Sequence, residues 1–445
     1  MIVKLCCILI GFPALSFAQI MLPAIASHKF TGLVSFYHPA YLNENDGQLE
    51  VYFPFNGYVG MGNNFTKHST IATALRGSQT TQAYLLGHPE IFRNTNKMRV
   101  DAMVFTFLAY YIPERLRGAL AFNGGIADKA EMKLAFPGAL MKVVLGGDQT
   151  LAGQNLQMDN IYVNALYYRE FFIGGAAKIY KKKSIAISAG GRVKFLTGLA
   201  SVLSRDAYVN VFMEGNGEYI NADTEFEVQT SNILDGSSNL FNGVGNGIAA
   251  DAGLSFFIKN FTVSVAALNI GGIRFHKAVE RLQHRSSLRF EGFSADEGFK
   301  GIKDDTIFHD LTVNRSKSVY NHPLTKRLQV LCSWQSQMEE KLLFRKTLVR
   351  YSKHRVYFSF SGELDEFSIN DFSNYICAGY VYNWKDFFEI GPGFFAGGNA
   401  RLGIGCMASV KYKWFALGAG TSNLFPFIFQ QGRGTDFSLN SYFSF

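Results

Sequence analysis

Cysteine is scarce: five in 445 residues. Cys6 and Cys7 fall in an N-terminal segment with export character, which leaves Cys332, Cys377 and Cys406 as an odd, widely spaced set. That excludes a disulfide-dense exported domain, and thiols in such numbers sit as small apolar side chains. Long apolar runs are missing too. Beyond residue 18 no run reaches the length of a spanning helix; the longest, Ala102 to Ile112, is about half of one, so helical membrane insertion is excluded. Charge is low at 18%, and no Lys/Arg run exceeds Lys181-Lys182-Lys183. With a net charge of only +8, nucleic acid is not an expected partner.

Catalytic and metal-binding patterns are also lacking. The nine histidines include no HExxH or other tight ligand spacing, and His276 and His284 have no carboxylate motif between them. There is no Ser/His/Asp order, paired-carboxylate spacing or phosphate loop, and Gly243 to Gly247 lacks a βαβ context. The sequence therefore points to no enzyme, no cofactor and no metal. His38 reads as a turn residue before Pro39 and not as a ligand.

What is abundant is phenylalanine (42) and glycine (44), with aromatics at 15%. The N-terminus has one early cation, Lys4, then an apolar core from Leu5 to Phe17 closing on Ser16-Phe17-Ala18. This reads as a signal peptide over residues 1–18, cut before Gln19, with one domain over 19–445. An exported, aromatic-rich chain without spanning helices is a soluble β-protein or a membrane barrel.

Period-two alternation decides between them, because it puts successive side chains on opposite faces of a strand. In Ser184 to Leu196, one face carries Ile185, Ile187, Ala189, Gly191, Val193 and Phe195, and the other Ser188, Gly190, Arg192 and Lys194. Gly247 to Ile258 and Phe261 to Ala267 flank Lys259-Asn260 and form a hairpin. Its apolar face opposes Ala249, Asp251, Gly253 and Ser255, residues smaller than the Lys, Glu and Thr of a solvated sandwich. The same alternation runs through Gln48 to Phe55, Asp159 to Tyr167, Leu328 to Trp334, Arg401 to Trp414 and Asp436 to Phe445. The expected fold is all-β: a closed antiparallel transmembrane β-barrel of about 14 strands (12–16), with a short internal N-terminal segment and one or two short helices. At nominal spans of about 9 to 11 residues, well over half of the mature chain falls in loops. The longest are Asn63 to Lys97, Ser231 to Asn246 and the charged Lys277 to His322. Short helices are expected at Pro137 to Gly146 and His276 to Arg285.

Arg192, Lys194, Asp251 and Ser255 are the expected lumen-facing polar residues. The two cations form either an anion site or ion pairs with Asp251 and other carboxylates. Phe425 to Phe429, broken by Pro426, either joins the lipid belt or lines an apolar path.

Four stretches carry a family likeness: His38-Pro39-Ala40-Tyr41-Leu42, Gly190 to Gly198, Gly247 to Gly272, and Phe290-Glu291-Gly292-Phe293 with the polar stretch and return strand that follow. Together they resemble outer-membrane barrels of the Bacteroidota that form a domain-of-unknown-function family, similar to the group of the long-chain fatty-acid transporter FadL. His38 stands where that family usually has Asn. The resemblance implies an outer-membrane location and contact with outer-membrane lipid. It also implies a channel or binding protein for a small hydrophobic solute, gated by Ile20 to Leu42 and Pro137 to Leu145. The alternative is a barrel scaffold that docks a secreted or surface protein through Lys277 to His322.

Overall fold

The computed structural model describes residues 30–41, 49–53, 56–67, 95–140, 153, 155–213, 220–233, 243–290, 314–343, 347–364, 374–398, 401–425 and 434–445, with 66, 117 and 118 excepted. The expected signal segment, residues 20–29 and 42 of the expected internal segment, most of the loop between residues 63 and 97, the helix expected beyond Leu140, residues 234–242, residues 291–313 and residues 426–429 lie outside these.

Helix α1 (Thr31–Tyr37) is followed by β1 (Leu49–Tyr52), β2 (Asn56–Asn63), β3 (Asn96–Tyr111), β4 (Leu120–Phe136), β5 (Asn155–Lys182), β6 (Ile185–Met213) and β7 (Ile220–Ser231). Then come β8 (Gly245–Ile258), β9 (Phe261–Phe275), β10 (Val279–Phe290), β11 (Asn314–Ser316), β12 (Tyr320–Pro323) and β13 (Arg327–Gln335). A separate hairpin, β14 (Met338–Leu343) and β15 (Thr347–Ser352), precedes β16 (His354–Glu363), β17 (Asn374–Trp384), β18 (Phe388–Gly397), β19 (Arg401–Tyr412), β20 (Phe415–Thr421) and β21 (Gly434–Ser444).

These form a closed antiparallel barrel of 16 strands. Closure is made by β21, which pairs with both β1 and β2. β7 and β8 lie end to end along β6, and β9 continues into β10. One circuit therefore crosses fourteen strand lines: β1/β2, β3, β4, β5, β6, β8, β9, β13, β16, β17, β18, β19, β20 and β21. The expected range of 12–16 strands covers both counts.

Alternation assigns the faces. Val193, Phe195, Ile248, Leu254 and Phe256 are exposed, while Ser188, Arg192, Lys194, Asp251 and Ser255 are buried. Apolar side chains on the outside of a closed sheet, with charges inside, match a lipid-facing wall around a polar lumen.

Two expectations are corrected. Strand takes up 79% of the described residues, and many strands run well past nominal spans, so less of the chain is left for loops than those spans imply. β5 and β6 run 28 and 29 residues, far beyond the about 9 to 11 needed to cross. The second correction is His276 to Arg285, which is not a helix: residues 279–290 form β10 and pair with β7 along their whole length. Twelve ladder partners outweigh the helix-like spacing of Val279 and Leu282, and part of the Lys277 to His322 loop is thereby a wall.

Candidate lumenal gate

Helix α1 has seven residues, too few to be stable alone. Packing holds it, since all seven residues are buried. Its partners come from strands around the circuit, which places it inside the lumen. Phe30, at its N-cap, meets Tyr442 of β21 edge-on at 5.5 Å. The Gly32 N–H donates to Glu50 Oε2 (2.9 Å) and to the Tyr52 hydroxyl (3.0 Å). Asn123 of β4 donates to Ser35 Oγ at 3.2 Å. Phe36 packs between Phe105 (4.8 Å) and Phe172 (5.4 Å), and its carbonyl accepts from Arg192 Nη2 at 2.6 Å.

The chain leaves the helix through His38-Pro39-Ala40, which lies on the β6–β8 wall. There the Ser188 hydroxyl donates to the Ala40 carbonyl. Gly190 makes room: a Cβ on it would stand 2.8 Å from Ala40 Cα and closer still to the Pro39 carbonyl. Gly253 of β8 lies under the same segment, 3.5 Å from Ala40 N to a built Cβ. His38 is buried and its Nδ1 has no hydrogen-bond partner. Burial, reinforced by the Arg355 guanidinium, pushes its pKa down to about 3. It is a neutral imidazole in a lumenal segment, outside the spanning strands.

Beside Phe36 sits a charged cluster that joins three of the four expected lumenal residues. Asp251 accepts from Arg192 Nε at 2.8 Å and from the Asn269 N–H at 2.7 Å, and pairs with Lys194 Nζ at 2.9 Å. Lys129 of β4 pairs with Glu170 of β5 at 2.9 Å. Three cations thus face two carboxylates. The Phe36 ring shares the excess charge, with the Arg192 guanidinium 4.3 Å and Lys129 Nζ 4.8 Å from its centroid. Ser255, the fourth expected residue, faces inward but stands apart, bonded to Ser264 at 2.7 Å.

A second cluster, absent from the sequence reading, bridges the barrel from β3 and β4 to β13 and β16. Arg99 pairs with Asp101 (2.7 Å) and with Glu363, Lys133 pairs with Glu363 (3.0 Å), and Arg327 pairs with Glu131 (3.3 Å). Its signal was visible in β4, where Lys129, Glu131 and Lys133 form an i, i+2, i+4 row on one face. Alternation gives the face of such a row; it cannot give partners two hundred residues away.

Between the clusters lies a cavity lined by Phe36, Tyr37, Met103 and Leu268 together with Lys129, Glu131, Arg192 and Arg327. It has room for on the order of one water molecule.

Another unanticipated network joins Ser201 Oγ to His322 Nδ1 (2.6 Å) and His322 Nε2 to Asn164 Oδ1 (2.9 Å). Ser201 and His322 are both 1% exposed and the cavity does not reach them, so the network staples β5, β6 and β12 together. Among the described residues, no group of three or more His, Cys, Asp or Glu could hold a metal ion. His284 stacks on Phe226 and bonds to Thr224, far in role from His276, which is exposed. Cys332, Cys377 and Cys406 are free thiols.

Family comparison matches residues 39–422 to the family described as "Family of unknown function (DUF5723)". No curated protein sequence matches significantly. Similar solved structures include the toluene transporter TbuX of Ralstonia pickettii, at 9% identity over 97% of this chain and 98% of that one, TM-score 0.43. The toluene transporter TodX of Pseudomonas putida is 7% identical over 97% and 99%, TM-score 0.38. A FadL homologue from Pseudomonas aeruginosa is 10% identical over 97% and 98%, TM-score 0.39.

Proposed function

The chain belongs to the DUF5723 family, and on the geometry of its lumen we propose that it is an outer-membrane channel or binding protein for a small hydrophobic solute, gated by the segment around α1. One observation carries the reading: a fully buried seven-residue helix lies inside the barrel, beside a cavity with about one water's room that Phe36, Tyr37, Met103 and Leu268 line together with charged side chains. The helix is held by a handful of side-chain bonds and ring contacts and shares no ladder with the wall, so it can leave without breaking the barrel. Its aromatic side would then face an apolar solute in transit, while the charged clusters keep the wall in shape.

The scaffold reading loses part of its basis, since residues 279–290 of Lys277 to His322 are wall strand β10. Uptake into proteoliposomes tests the channel. With the segment through Leu42 deleted, entry of a small aromatic hydrocarbon should rise severalfold over the intact protein. Unchanged permeability for apolar, anionic and neutral polar solutes alike would sink the proposal.

A further inference from the structure

The rim that carries the C-terminus can be followed through the strand pairings from the β5–β6 turn to Phe445. From the β5–β6 turn, Ile185 stands opposite Ile258, and Phe261 opposite Trp334. His354 then pairs with Tyr382, Phe388 with Val410, Phe415 with Phe443, and Leu49 with Phe445. Three connections on this rim have just two residues, 183–184, 259–260 and 413–414; the longest are 112–119 and the 336–353 stretch that carries the β14–β15 hairpin.

Each of those three turns opens with a lysine in the left-handed region: Lys183 at φ 49°, Lys259 at 51° and Lys413 at 51°. Lys385, in the β17–β18 connection, does the same at 54°. Glycine and asparagine take this conformation most easily, and a long L side chain takes it at a penalty. Backbone geometry therefore does not select lysine at four separate places, and what remains is its charge. All four side chains are exposed.

Their surroundings indicate what the charge meets. Trp384 is 48% exposed and Trp414 55%, the pattern of an aromatic girdle at a membrane–water boundary. Lys385 Nζ lies 5.2 Å from the Trp384 ring centroid and Lys413 Nζ 5.3 Å from that of Tyr412. The cations thus stand at or just beyond the girdle, at the depth of lipid headgroups. With Lys181, Lys182 and Lys411 at the adjoining strand ends there are seven lysines here, against Asp386, which Lys411 pairs at 3.6 Å, and the buried Glu389.

We propose that this collar is a binding site for the phosphates of anionic glycerophospholipids. The choice of lipid follows from sidedness: short turns mark the periplasmic rim of such barrels, so the collar meets the inner leaflet and not lipopolysaccharide. The site is independent of the channel reading and survives its failure.

The test uses the full-length protein in nanodiscs of phosphatidylglycerol and phosphatidylcholine, with lipids retained after extraction counted by native mass spectrometry. The comparison is the quadruple variant Lys183→Asn, Lys259→Asn, Lys385→Asn, Lys413→Asn, since asparagine accepts the same backbone conformation. Heat-modified gel mobility checks that its barrel has formed. The wild type should retain phosphatidylglycerol in preference to phosphatidylcholine, and that preference should fall about fivefold for each lysine removed. In the wild type, 1 M salt should weaken it as well. Equal preference in variant and wild type, or none in the wild type, overturns the site. Stronger retention of lipid A than of phosphatidylglycerol in a competing nanodisc overturns the assigned source.

Discussion

Gly190 of β6 lies directly beneath Pro39, so close that the proline carbonyl occupies the space a side chain would need. Gly191, the next residue, faces the lipid, and a Cβ there would meet its nearest atom, the Asp251 carbonyl, at an ordinary 3.4 Å. Gly190→Ala should therefore lift the 38–40 segment off the wall at a cost of about 1–3 kcal/mol, raising leak through the lumen. Gly191→Ala should leave both leak and thermal stability unchanged. Conductance in planar bilayers separates the two variants, and equal leak would show that Pro39 does not rest on this wall.

Asp251 holds two buried cations. Asp251→Asn leaves Arg192 and Lys194 with Glu170, 3.8 Å from Lys194, as their remaining carboxylate. Breaking a buried pair from one side costs about 3–5 kcal/mol, so the unfolding midpoint should drop clearly. The double variant Arg192→Met/Asp251→Leu should recover much of that loss. A double-mutant cycle with no coupling would contradict the geometry.

Acid should open the gate. Docked His38 is neutral, with its pKa pushed down to about 3 by burial and Arg355. Undocked, it returns to about 6.5. The lowered value means that docking is fully stabilised above about pH 6.5 and weakens as pH falls from there toward 3, by at most about 1.4 kcal/mol per pH unit. Conductance should accordingly rise between pH 6.5 and 4. His38→Asn should remove most of that rise, and a rise of the same size in the variant would assign it to other groups.

Lipid contact is tested at Ile248, 63% exposed on β8. Ile248→Arg should cost about 2–4 kcal/mol if the residue sits near the bilayer midplane, whereas Asn246→Arg, at the strand end, should cost little. Folding into vesicles followed by urea titration gives both values.

The wall was legible in the sequence wherever lipid enforces alternation. β8 and β9 expose Ile248, Leu254, Phe261 and Val265 and bury Asp251, Ser255 and Ser264, as period two requires. Legibility fails where the lipid ends. β10 and β7 continue the sheet beyond β8 and β9, and there Glu280, Arg281 and Gln283 need no apolar opposite face, so Val279 and Leu282 mimic a helix. Bulges hide length in the same way: β5 shifts register against β6 at Tyr167/Tyr168 and Lys178/Tyr180, so a 28-residue strand reads as shorter pieces. The lumenal site was half legible. Arg192, Lys194 and Asp251 sit on adjacent strands joined by a readable register, whereas Glu363 reaches Arg99 across the lumen, a distance alternation does not encode.

Single-channel conductance of the intact protein and of the form lacking the segment through Leu42, recorded in the same planar bilayer, bears most directly on the gate. The lumen described here predicts a closed or near-closed intact protein and a steadily open truncated one, with equal heat-modified mobility on gels. Equal conductance from two properly folded forms would show that α1 does not close the barrel.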